Sequence, residues 1–113
     1  MKRGELWTLQ DRNYASKARP VLIIQSDNEN IFDSIILCLL TSFESENVST
    51  RLKIEPTSGN GLMKTSYVMT DKIVTVDKTM LGEHIGKLTD SEMHLTAGKL
   101  AKILKIYKSD IEE

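Results

Sequence analysis

The feature that most narrows the fold is a single change of hydrophobic period near the end of the chain. Up to about Gly86 the apolar segments are short and either alternate with polar residues or run without a break; beyond Thr89 they recur three and four apart. Glu5–Gln10 alternates, as a strand with one buried face does, whereas Val21–Ile24 and Ile35–Leu40 are continuous apolar runs suited to strands covered on both faces. Leu52–Glu55 alternates again before Pro56–Gly61 breaks the pattern, and Ser66–Thr70 and Ile73–Val76 read as two further strands. Gly82–Gly86 reads as a bend or a short strand, Asp11–Lys17 as a loop, and Ser26–Asn30 as at most one helical turn. In the tail, Thr89-Asp90-Ser91-Glu92 has capping-box spacing, and Ala97, Leu100, Ile103, Leu104 and Tyr107 form an apolar stripe with Lys99, Lys102, Lys105 and Lys108 on the wetter side. The pattern predicts a helix from about 90 to 107. Several short strands closed by one terminal helix predict a mainly β chain, a small barrel with a C-terminal α-helix across it, in one domain spanning residues 1–113.

A chain of 113 residues can bury one core, and two would be cramped. No apolar run approaches the roughly 20 residues of a membrane span, and Met1–Glu5 passes into a strand pattern with no signal-peptide core, so the expected location is the cytoplasm. The single cysteine, Cys38, sits inside Ile35–Leu40 and reads as a buried hydrophobe, not a nucleophile. A net charge of −1 argues against a generic basic nucleic-acid coat. The charge is nonetheless uneven. Lys2, Arg3, Arg12, Lys17 and Arg19 outnumber Glu5 and Asp11 in residues 1–25, while six carboxylates outnumber Arg51 and Lys53 in residues 26–60.

The basic end coincides with Tyr14–Gln25, a polar loop that delivers Arg19 to the mouth of an apolar strand. Pro20 fixes its own φ and pushes Arg19 toward an extended backbone, so the direction of a planar five-donor fork suited to phosphate is set locally. Other chemistries find little support. His84 and His94 stand ten residues apart outside any ligand-spaced motif, His84 reads as a surface or half-buried structural residue, and neither a nucleophile elbow nor a Gly-rich phosphate loop occurs. No metal and no cofactor is expected.

Four blocks, Lys2–Trp7, Ser16–Asp27, Leu37–Ser42 and Asp71–Asp77, together resemble the MazF/PemK-like toxins, endoribonucleases of bacterial toxin–antitoxin pairs, and the likeness continues through Gly82–Leu88 to about Tyr107. The resemblance implies an SH3-like barrel that forms homodimers. It also implies metal-independent cleavage of single-stranded mRNA, in which the substrate's own 2′-OH attacks the adjacent phosphate and leaves 2′,3′-cyclic phosphate and 5′-OH ends. Arg19 is the residue it makes catalytic, bracketing the transition-state oxygens and giving a proton to the leaving 5′-oxygen; Thr41 is the second, its hydroxyl orienting Arg19 or binding a phosphate oxygen. A Thr-Ser pair closing a strand is also an ordinary structural feature.

This chain departs from the family pattern in two places. Only eleven residues separate Trp7 from Arg19, where many members carry a longer loop with a catalytic serine or histidine, so Ser16 is the candidate replacement. Where the family shows Gln-hydrophobic-Arg-Thr-hydrophobic-Asp, this chain has Lys72-Ile73-Val74-Thr75-Val76-Asp77, which makes Lys72 a candidate phosphate contact and Asp71 a reader of a base edge or a loop anchor. Ser16, Lys17, Ser42, Asp71 and Lys72 are the expected RNA-binding residues. The expected partners are RNA, a separately encoded antitoxin and a second copy of the chain, with operator DNA engaged only as a toxin–antitoxin complex. The alternatives are a gyrase poison on the same fold, whose Trp-Gly-hydrophobic ending is absent from Asp110–Glu113, and a catalytically silent nucleic-acid-binding barrel.

Overall fold

A computed structural model of the chain describes residues 1–10, 18–29 and 31–111. Six antiparallel strands, β1 (Glu5–Leu9), β2 (Arg19–Ile23), β3 (Ser34–Thr41), β4 (Arg51–Ile54), β5 (Ser66–Asp77) and β6 (Leu81–Lys87), form one sheet in the order β4-β5-β3-β2-β1-β6. A helix, α1 (Asp90–Ile103), and a last short one, α2 (Lys108–Ile111), follow. The mainly β architecture with a C-terminal helix is the one expected, but the sheet is not closed: β4 and β6 are its edges.

Continuous apolar runs become strands buried on both sides because alternate residues feed two cores. Leu6, Leu22, Cys38 and Leu40 point into one cluster with Ile54, Leu62, Val68 and Leu88, while Val21, Ile23, Ile35 and Leu37 point into another with Val76 and Leu81. Burying each such side chain is worth about 1.5–3 kcal/mol. Cys38 is fully buried, and desolvation with the Asp71 charge nearby pushes its thiol up to about 12, as expected of a core hydrophobe.

The two strands expected at 66–70 and 73–76 are one. Thr70, Asp71 and Lys72 break the apolar pattern but not the strand: Cys38 pairs with Ile73 and Leu40 with Val68, so an irregularity in β5 absorbs the polar residues while its first half pairs with β4. Gly82–Gly86, left open between bend and strand, lies within seven-residue β6.

The capping box forms, with Thr89 Oγ1 accepting from the Glu92 amide and Glu92 Oε1 from the Thr89 amide. The helix stops at Ile103 and not near 107, because Lys105 takes a left-handed φ of 57° and the Ile106 and Lys105 amides donate to Ala101 and Lys102 carbonyls, a Schellman ending. The inward line accordingly runs through Met93, Thr96 and Leu100, and the expected core residues Ile103, Leu104 and Tyr107 are exposed.

Two clasps hold the chain around its future site. Gly4, at φ 91°, donates to the Ile23 carbonyl, and the Glu5 carboxylate accepts from the Lys2 amide and Trp7 Nε1, which makes the opening Gly-Glu-Leu-Trp block a structural corner. At the other end, Asn60 is buried with Oδ1 accepting from the Thr57 and Leu62 amides and Nδ2 donating to Glu55. That loop lies so close to β6 that a Cβ on Gly61 would sit 2.0 Å from the Ile85 carbonyl oxygen and one on Gly86 2.4 Å from the Asn60 backbone.

Candidate active site

Arg19 is the first residue of β2, paired with Leu9 of β1, and its side chain is exposed. Its guanidinium makes no hydrogen bond or ion pair with another described residue. Thr41 is the last residue of β3, pairs with Tyr67 of β5, and accepts the Phe43 amide on its Oγ1 at 3.1 Å. That bond fixes the threonine rotamer yet leaves the hydroxyl proton free to be donated. Arg19, Thr41 and Ser42 line one cleft of about 1010 Å³. Three of the residues singled out in the sequence are therefore brought together by the ends of β2 and β3.

The opposite wall is built from Leu62, Met63 and Lys64 of the loop clasped against β6, and from Glu83 and Ile85 of β6 itself, with Thr8 of β1 on the floor. Thr8, Lys64 and Glu83 carried no signal in the sequence. Lys64 follows a turn-rich stretch and Glu83 lies within Gly82–Gly86, whose sequence left bend and strand open, and only the pairing of β1 with β6 brings Glu83 beside Thr8, whose Oγ1 accepts the Glu83 amide at 2.8 Å.

Arg19 also borders a second cleft of about 650 Å³, lined by Leu9, Leu39, Met69, Val74, Val76 and Met80 among others. Val74, standing where the family pattern has arginine, makes this side apolar.

Asp71 and Lys72 are not among the residues lining the first cleft. Burial opposes ionisation of Asp71, but its own backbone amide, the Arg51 guanidinium and Thr50 Oγ1 outweigh it and hold the carboxyl below its ordinary value of 3.8. Arg51 Nε lies 3.5 Å from Asp71 Oδ1 but is buried without an acceptor in hydrogen-bonding geometry, while its Nη1 donates to Ser45. Lys72 is exposed on the same strand. Ser16 and Lys17 lie outside the described residues. His84 is half-exposed, stacked on Trp7 with ring centroids 5.3 Å apart and 3.6 Å from the Glu5 carboxylate, the structural role expected for it.

Residues 2–104 match the family model described as the PemK-like, MazF-like toxin of type II toxin–antitoxin systems. The chain is similar to a probable endoribonuclease MazF of Mycolicibacterium smegmatis, 36% identical over 107 residues that cover 94% of this chain and 98% of that protein. It is also similar to endoribonuclease MazF6 of Mycobacterium tuberculosis, 31% identical over 93 residues, 80% of this chain and 82% of the relative. Among solved structures it resembles a mycobacterial endoribonuclease in complex with its cognate antitoxin, with a TM-score of 0.80 and 27% identity over 95% of this chain and 97% of the other. The Mycobacterium tuberculosis toxin MazF-mt6 shares the fold, with a TM-score of 0.77 at 23% identity over 91% and 98% of the two chains. With nearly its whole length matched, the chain belongs to the PemK-like, MazF-like toxin family of type II toxin–antitoxin systems.

Proposed function

We propose that this chain is the toxin of a type II pair and cuts single-stranded mRNA without a metal ion, with Arg19 and Thr41 as the groups that act on the scissile phosphate. The observation that supports the assignment of residues is an Arg19 guanidinium with no partner among the described residues, bordering a cleft that Thr41 also lines. RNA supplies its own nucleophile, so what the protein has to contribute is alignment and a cation where charge develops. Arg19 brackets the non-bridging oxygens as the 2′-oxygen attacks, and protonates the 5′-oxygen as it departs, an alkoxide more basic than the guanidine it takes the proton from. Thr41 donates its free hydroxyl proton to a phosphate oxygen. Ser42, and Lys64 on the opposite wall, hold neighbouring parts of the strand. Ser16 and Lys17, in the basic loop that leads to Arg19, and Lys72 extend the backbone contact, whereas the Arg51 pair makes Asp71 a loop anchor more than a base reader.

The antitoxin is proposed to compete for the same surface, an acidic segment laid across Lys17, Arg19 and the cleft, and operator DNA to be bound only by the joint complex. A homodimer acting in the cytoplasm completes the reading, supported by the family membership and by a lone, fully buried cysteine that suits a reducing compartment. Purified protein incubated with a long single-stranded RNA in EDTA is expected to cut it and to leave 2′,3′-cyclic phosphate and 5′-OH ends. Loss of cleavage in EDTA, or cutting of a strand carrying 2′-deoxyribose at the mapped site, overturns the mechanism.

A further inference from the structure

Attack by a 2′-oxygen requires that its proton go somewhere, and neither an arginine already holding the phosphate nor a threonine turned toward it is placed to receive one. We infer that Glu83 is the general base of the reaction, accepting the 2′-OH proton from the wall of the cleft opposite Arg19; the inference rests on the assignment of that cleft as the RNA site. Glu83 is the one carboxylate among the described residues lining the cleft, it is exposed, and it makes no ion pair or side-chain hydrogen bond with a described residue.

The strand pairing shows why it points there. Trp7 pairs with His84 and Leu9 with Leu81, so Thr8 alone faces both Gly82 and Glu83, and β6 carries a bulge at this point. Bulges turn a side chain away from regular alternation. The bulge needs glycine, since a Cβ on Gly82 would lie 2.6 Å from Thr8 Oγ1, the same oxygen that accepts the Glu83 amide. On the other side of β1, Thr8 pairs with Pro20, next to Arg19. Pro20 and Glu83 thus stand two strand spacings apart, roughly 10 Å between backbones, with Arg19 one residue further along β2. Side chains reaching in from both walls can share that gap with one nucleotide. Among the described residues, the other charged groups facing it are Arg19 from β2 and Lys64 from the loop clasped to β6.

The step balances. The 2′-O–H proton passes to the Glu83 carboxylate as the 2′-oxygen bonds to phosphorus, the P–O5′ bond breaks, and the 5′-oxygen leaves with a proton from Arg19. Solvent then returns the proton from Glu83 to Arg19.

The test uses the intact protein and an RNA oligonucleotide with a mapped cut site. Glu83→Gln is expected to slow cleavage by about a hundredfold to ten-thousandfold, while binding of the same oligonucleotide with 2′-deoxyribose at the cut changes less than about twofold. Glu83→Asp keeps a base on a shorter arm and is expected to fall between Gln and wild type. A substrate with sulfur in place of the bridging 5′-oxygen needs no acid, so it should rescue Arg19→Ala in part and leave the Glu83→Gln defect as large as before. Wild-type cleavage by Glu83→Gln, rescue of that variant by the sulfur substrate, or a loss of binding that matches the loss of rate each overturns the role of base. Full activity of Arg19→Ala is a different result, which removes the cleft assignment itself.

Discussion

Arg19 and Arg51 each open a strand, and they have opposite fates. Arg51 is tied to Asp71 and to Ser45 Oγ at 2.9 Å, fixing the approach to β4 against the middle of β5. Arg19 begins β2 with a proline behind it and no described partner in front of it, and it faces a cleft. The same side chain at equivalent places in two strands is structural where a described carboxylate stands beside it, and keeps its donors where none of the described residues does. Position at a strand mouth makes an arginine well aimed; withholding a partner leaves its donors for a substrate phosphate.

The most severe way to separate the two is Arg19→Ala. Loss of a preorganised donor of this kind costs about 3–4 kcal/mol of transition-state stabilisation, a few hundredfold or more in rate. Thermal unfolding should stay within about 0.5 kcal/mol of the wild type, as for a surface change that breaks no contact. Single-turnover RNA cleavage and calorimetry on one preparation decide it, and a folded variant with normal activity refutes the contrast. Arg51→Ala should do the reverse, lowering stability by about 1–3 kcal/mol through loss of charged hydrogen bonds in a half-buried setting while the cleavage rate of the remaining folded protein holds. A variant that is equally stable but inactive would place Arg51 in the site. The smallest effect is on acid stability. The Asp71 carboxyl is held below 3.8 in the folded chain, so its contribution is complete above that value and is lost as pH falls through the lowered one. Asp71→Asn should remove this part of the acid dependence, giving a flatter stability curve below about pH 4 in acid titration of unfolding, and an unchanged curve would mean that the pair carries no net coupling.

Much of this was legible in local pattern. Val21–Ile24, Ile35–Leu40 and the Thr89–Glu92 box each declare their conformation through residues a few positions apart, and all three form as expected. The tail of the helix misled because Ile103, Leu104 and Tyr107 continue an apolar spacing that the Lys105 turn interrupts, and a lysine in the left-handed region has no signature in sequence. The unity of β5 was hidden for the converse reason: polar residues at 70–72 are accommodated by an irregular ladder with β3, a property of the partner strand. The site divides in the same way. Arg19 stands where an apolar run begins and is marked by that position, Thr41 and Ser42 by the family resemblance, while Lys64 joins them through the loop packed on β6 and Glu83 through a strand pairing whose hydrogen bond to Thr8 spans 75 positions.

That long span bears on how the protein comes into being. Synthesis delivers Arg19 and Thr41 early, but the cleft is a product of residues from Thr8 to Ile85, and its far wall is held by a loop that has nothing to rest on until Ile85 and Gly86 arrive. A chain halted at Met80 lacks β6 altogether, leaving β1 an open edge and the arginine facing solvent. In a chain built in this order the cleft is completed only when its sixth strand has been made, so its two walls meet late even though Arg19 and Thr41 are present early.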